Sequence, residues 1–97
     1  MIGRRLRWTD LALQRLGAVS NWIAEYNPDA AVRTVARISA AVELIIHHPA
    51  IGRSGRIAET RELVIGDVPY IVVYRVYPAE IEILTIMHTS MQWPEDV

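Results

Sequence analysis

Apolar and polar positions alternate from the start of the chain. Ile2, Leu6 and Trp8 fall on one side with Arg4, while Gly3, Arg5 and Arg7 fall on the other. A period of two marks a half-buried strand, here with an arginine-bearing outer side. The period then lengthens. Ala12, Leu16, Val19, Ile23 and Tyr26 recur at intervals of 4, 3, 4 and 3 residues, one stripe of an amphipathic helix. Thr9 precedes it as an N-cap whose hydroxyl can accept from an orphan N–H of the first turn, and Asp10 suits the positive end of the helix dipole. Asn27-Pro28 stops this helix and starts another. Asn27 serves as the cap, and Pro28 sits at the first helical position, where its missing N–H costs nothing. The second stripe, Ala31, Val35, Ile38, Val42 and Ile45, repeats the same spacing and ends before Pro49, with Asp29 and Arg33 as an i,i+4 pair on its outer side. Matching stripes with almost no linker predict an antiparallel helical hairpin.

Beyond a loop at Ala50–Glu59, the pattern returns to a period of two. Three short strands are predicted, Thr60–Ile65, Tyr70–Tyr77 and Ile81–His88, joined by Gly66-Asp67 with Pro69 and by Pro78-Ala79. The middle run is aromatic and β-branched and apolar on both alternating sides, as expected of a central strand covered on each face. The order β-α-α-β-β-β belongs to the α+β class, with the helical hairpin on one face of an antiparallel sheet and the other face left for function.

Composition narrows the classes. Ninety-seven residues are read as a single domain, residues 1–97, burying about 65% of the unfolded chain's surface. At 52% hydrophobic and 22% charged, the chain reads as a folded globule. No apolar run approaches the ~20 residues of a membrane span and no signal-peptide pattern is present, so no membrane partner is expected. The lack of cysteine excludes disulfides and thiolate chemistry and fits a cytoplasmic location. His47 and His48 are adjacent and diverge by about 100° on a helix, so they cannot chelate one ion together. With no cysteine and no HExxH pattern, neither metal nor cofactor is expected.

The net charge of −1 does not announce a nucleic-acid binder, yet all ten basic residues are arginine. Arginine suits bidentate contacts to phosphate and carboxylate, although genomic base composition favours it equally well. Gly52-Arg53-Ser54-Gly55-Arg56 is either a solvated turn or a pair of arginines able to close over a phosphate; it lacks Walker-loop spacing. In the last hairpin, pairing Val76 with Ile81 sets Arg75 opposite Glu82 and Ile71 opposite Ile86. Arg75 and His88 then share a face with Ile71, Val73, Leu84 and Ile86. An even loop after Ile65 puts Arg61 beside Tyr74 on the other face, and an odd one puts it beside Arg75. His88 reads as a packed strand-end residue or as a general acid–base. Arg75 reads as a cross-strand ion pair with Glu82 and Arg61 as an ion pair with the adjacent Glu62, or both read as anion ligands. Trp93-Pro94 packs on the sheet edge or, if exposed, anchors an interface. No Ser-His-Asp pattern and no close carboxylate pair suggests hydrolysis by those routes.

The motifs together go further. Gly52-Arg53-Ser54-Gly55-Arg56, Thr60-Arg61-Glu62-Leu63-Val64-Ile65, Pro69-Tyr70-Ile71-Val72-Val73-Tyr74-Arg75-Val76 and Ile83-Leu84-Thr85-Ile86-Met87-His88 with Gln92-Trp93-Pro94 resemble the RelE/ParE superfamily of bacterial toxins. The likeness extends to the first strand ending in tryptophan and to Tyr26-Asn27-Pro28 between the helices. It implies the toxin of a type II toxin–antitoxin pair, of the kind described as plasmid stabilisation, forming a hetero-oligomer with an antitoxin that wraps and blocks it.

The superfamily divides by target. RelE-like members cut mRNA on the ribosome, basic residues holding the scissile phosphate while the RNA 2′-hydroxyl attacks. Many of them carry an arginine where this chain has Ile71, and lysines on the second strand where it has only Arg61. ParE-like members poison DNA gyrase, have an aliphatic residue at that position, and share the Tyr74-Arg75-Val76 and Met87-His88-Thr89-Ser90-Met91 patterns. Losing a fixed positive charge at a developing negative one is worth several kcal/mol, so the resemblance favours the ParE-like branch. That branch implies no catalysis, with Arg53, Arg56, Arg61, Arg75 and Trp93 as target or antitoxin contacts. The nuclease alternative makes Arg61 and Arg75 phosphate ligands and His88 the proton-transfer group. A third possibility is a non-toxic module that only pairs with a partner chain.

Overall fold

The computed structural model describes residues 3–90. Elements follow in the order β1 (Arg5–Trp8), α1 (Asp10–Ala24), α2 (Pro28–His47), β2 (Arg53–Ser54), β3 (Arg61–Val64), β4 (Tyr70–Val76) and β5 (Glu80–His88). Both predicted caps form. The Thr9 hydroxyl accepts from the Ala12 N–H at 3.0 Å, and Asn27 Oδ1 accepts from the Ala30 N–H at 3.1 Å. The stripe predicted for α1 overruns the helix at one position: Tyr26 lies past its end and is 75% exposed.

One sheet, ordered β1-β5-β4-β3-β2, holds all the strands described. Three neighbouring pairs are antiparallel, and β1 runs parallel to β5, from Arg5 opposite Glu80 to Trp8 opposite Ile83. Entry into α1 directly from β1 explains this placement, because the hairpin must cross the sheet before the meander begins. The stretch read as a loop departs from expectation. Arg53 and Ser54 form a short edge strand against Glu62 and Arg61, so the fold is β-α-α-β-β-β-β rather than the predicted order with one strand fewer.

Both helices pack on the same sheet face. Ala12 of α1 and Ile38, Ala41, Val42 and Ile45 of α2 join Tyr70, Val72, Tyr74, Ile81, Ile83 and Ile86 in one buried cluster. Ile38 and Ile45 are fully buried, each contributing about 1.5–3 kcal/mol by leaving water. A smaller cluster, Ile71, Val73 and Met87 with Leu84 packed against it, lies on the opposite face. Arg37 of α2 holds the β3–β4 turn through Asp67, Nε to Oδ2 at 2.8 Å. Both groups are exposed, so the pair is worth at most about 1 kcal/mol.

Candidate functional site

The register of β4 on β5 decides where the candidate side chains point. Val76 pairs with Ile81 and Arg75 with Glu82, as the sequence predicts, and Tyr74 pairs with Ile83. Val73 then pairs with Thr85, leaving Leu84 as the extra residue of a bulge. Past that point every side chain of β5 changes face relative to the sequence expectation. Ile71 lies opposite Met87 rather than Ile86, and His88 lies opposite Tyr70. His88 and Ile86 therefore sit on the helix-covered face, while Arg75 lies on the other with Ile71, Val73 and Leu84; the expected shared face is corrected. The bulge has a local partner. The Thr9 hydroxyl donates to the Leu84 carbonyl at 2.8 Å, and the Thr9 N–H donates to the Ile83 carbonyl at 3.1 Å. The start of α1 thus grips the irregular turn of β5.

Arg61 lies opposite Tyr74, the even-loop outcome, and so does not share a face with Arg75. Its guanidinium faces inward on the chain, with Nη1 donating to the Gly52 carbonyl at 2.8 Å. The fully buried Tyr74 completes the same joint: its hydroxyl donates to the Pro49 carbonyl at 2.7 Å and accepts from the Gly52 N–H at 2.9 Å. Burial raises the Tyr74 pKa, against smaller lowering contributions from the Gly52 hydrogen bond and the Arg61 charge. Gly52 is required here by closeness, since a Cβ would come within 2.7 Å of the Tyr74 hydroxyl.

Glu62 anchors the Gly52–Arg56 segment from below. Its carboxylate is 1% exposed and accepts from Arg53 Nη2 at 3.1 Å and from the Arg56 N–H at 2.8 Å. The loop is thereby a structured edge rather than a free flap. The sequence reading did not single out Glu62 as this anchor; the signal was an acid alternating with Arg61 and Leu63 in a strand whose neighbours are apolar.

Arg75 stands opposite Glu82, but the ion pair expected between them goes elsewhere. Arg7 bridges Glu82 and Glu80, with Nε 2.7 Å from Glu80 Oε2. These hydrogen bonds, first to Glu80 and then to Glu82, hold the Arg7 guanidinium above its ordinary pKa. Among the described residues, Arg75 Nε is left as a buried side-chain nitrogen without a hydrogen-bond partner.

His88 meets Tyr70 edge to face, ring centroids 5.3 Å apart, and its Nδ1 accepts from the Ser90 N–H at 3.1 Å. Burial raises the Tyr70 pKa. Histidine and tyrosine line a groove of about 290 Å³ together with Arg15, Val19, Trp22 and Ile86. Trp22 and Tyr26 stack edge to face at 5.5 Å beside it, 62% and 75% exposed. The sequence carried a signal for this surface, a tryptophan off the apolar stripe, that the periodicity reading passed over.

Arg61, Arg75 and His88 are thus not brought together. Arg61 and His88 flank opposite ends of β4, about 13 Å apart along the strands and about 10 Å across them. Arg75 occupies the opposite face. Trp93 lies outside the described residues. Among the described residues no group of three His, Asp or Glu side chains is placed to hold a metal, and no helix is long and apolar enough to cross a membrane.

Comparison with known proteins places this geometry in context. A family model described as the ParE toxin of the type II toxin–antitoxin system parDE matches residues 6–93. Y4kP of Sinorhizobium fredii, which its name proposes as a toxin, is 50% identical over 95 residues, 98% of each chain. Toxin RelE2 of Caulobacter vibrioides is 34% identical over 83 residues, 86% of this chain and 92% of the relative. A solved chain from the chromosomal ParDE system of P. aeruginosa superposes with a TM-score of 0.82 at 26% identity, covering 90% of this chain and 97% of that one.

Proposed function

The chain belongs to the ParE toxin family of type II toxin–antitoxin systems, and from that premise we propose that it is a cytoplasmic growth inhibitor that binds DNA gyrase and is neutralised by a cognate antitoxin. One observation carries the choice of target. The three side chains a phosphate-cleaving site would need, Arg61, Arg75 and His88, lie on two faces and at two ends of the sheet. At the position where many RelE-like nucleases carry an arginine stands Ile71, 4% exposed and packed in the second apolar cluster. Acting by binding alone, the toxin needs no reacting constellation. Arg53, Arg56, Arg61 and Arg75 remain its candidate contacts, and toxicity of this kind is what plasmid stabilisation requires.

The antitoxin is assigned to the groove beside Trp22 and Tyr26. Exposed aromatic anchors next to an apolar recess are the features that carry most of the energy in protein interfaces, and an antitoxin's amphipathic segment is suited to such a recess.

A ribosome-dependent nuclease is the second reading, favoured by the relative named for RelE. Replacing His88 with alanine separates the two. Growth inhibition on expression without antitoxin is expected to persist with the variant folded. Loss of inhibition in a folded variant would make His88 a proton-transfer residue and overturn the gyrase reading.

A further inference from the structure

His88 is held from two sides. Opposite it on β4 stands Tyr70, a member of the buried core, whose ring it meets edge to face. Two residues on, the Ser90 backbone N–H donates to Nδ1 at 3.1 Å, and the Ser90 hydroxyl oxygen lies 2.8 Å from the same nitrogen. A backbone N–H can only donate, so Nδ1 is the accepting, unprotonated nitrogen. The neutral ring then carries its proton on Nε2. Among the described residues Nε2–H meets no acceptor, and it is open to solvent rather than buried.

The groove that His88 lines is otherwise mostly apolar, with Val19, Trp22 and Ile86 among its walls. Arg15 supplies its positive charge, and none of the described residues lining it is acidic. An occupant complements this surface by filling the recess with an apolar side chain and bringing a carboxylate beside it. We infer that the Nε2–H of His88 is a recognition donor for the antitoxin, received by a carboxylate on the acidic and apolar segment that enters the groove. The inference rests on the assignment of the antitoxin to this groove, and adds what the docking segment carries there. Tyr70 and Ser90 already fix the ring, so little side-chain freedom is lost when the acceptor arrives. His88 thereby acts through a hydrogen bond and transfers no proton.

Isothermal titration of the full-length toxin with purified cognate antitoxin tests this with His88→Ala, His88→Gln and Trp22→Ala. Losing a hydrogen bond to a charged acceptor should raise Kd about 10- to 100-fold in His88→Ala. The amide nitrogen of glutamine reaches near the position of Nε2 and donates, so His88→Gln should restore most of the affinity. Equal loss in both His88 variants would overturn the donor role and leave packing in its place. Weakening by Trp22→Ala alone would overturn the inference while the groove stands as the docking site. No weakening by either Trp22→Ala or His88→Ala would overturn both. Nitrogen-15 NMR of the unsubstituted toxin gives a reading free of any variant. A protonated Nε2 and an unprotonated Nδ1 are expected, with the Nε2 proton moving downfield when antitoxin is added. A proton on Nδ1, or an Nε2 signal that antitoxin leaves unmoved, refutes the inference. An Nε2 signal that tracks toxin concentration without antitoxin refutes it too, by making a second copy of the chain the occupant.

Discussion

Replacing Tyr74 with phenylalanine tests the joint that fixes the arginine-bearing edge to the sheet. The ring keeps its packing, and only the hydroxyl is lost. Its departure strands two backbone groups. The Gly52 N–H is buried and loses its acceptor at 2.9 Å, and the Pro49 carbonyl loses its donor at 2.7 Å. A buried donor left unmatched costs about 1–3 kcal/mol, while a carbonyl that water can reach loses about 0.5–1.5 kcal/mol. The sum is about 1.5–4.5 kcal/mol, a large share of the ~5–15 kcal/mol that holds a domain folded. For a chain of this size it corresponds to a Tm lower by about 7–22 °C. Urea unfolding followed by circular dichroism measures it directly, with the m-value expected to stay constant. A midpoint unchanged within the error of the fit would refute the joint, and with it the claim that Arg53 and Arg56 sit on a fixed edge.

Other outcomes follow from the same geometry. Burial holds the Tyr70 and Tyr74 phenols above their ordinary value of about 10. Folding therefore retains protons that the unfolded chain gives up: the stability is fully present below about pH 10 and is lost as pH rises through the folded values. Thermal melts between neutral and strongly alkaline pH should show that decline, and Tyr70→Phe should flatten part of it; an equally steep limb in the variant would contradict the assignment. Trp22→Ala should weaken antitoxin binding by about 30-fold or more, the scale of an aromatic interface anchor at about 2 kcal/mol, with little change in Tm because the ring is 62% exposed. Isothermal titration with the cognate antitoxin reads it, and an unchanged Kd would move the docking surface elsewhere.

Periodicity and capping made the backbone legible. The stripes of Ile38, Val42 and Ile45, the caps at Thr9 and Asn27, and the turn at Pro78-Ala79 are each set by a residue's own chemistry, and each appears where the sequence predicts it. The candidate site was less legible, because it depends on parity. A single extra residue at Leu84, opposite no partner, carries His88 to the helix side and away from Arg75. Its carbonyl is held by a hydrogen bond from Thr9, 75 residues distant in sequence, a contact that no local pattern records. The fate of Glu82 was hidden for the same reason. The strand pairing offers it to Arg75, but Arg7 arrives from a parallel edge strand and takes it.

The most direct measurement of the central claim uses the purified toxin freed of antitoxin, assayed side by side on gyrase supercoiling of plasmid DNA and on mRNA bound to translating ribosomes. Lost supercoiling or trapped cleaved DNA, with the mRNA intact, is the predicted result. Cut mRNA with normal supercoiling would contradict it, and would mean that Arg61, Arg75 and His88 converge on RNA despite standing apart in the free chain.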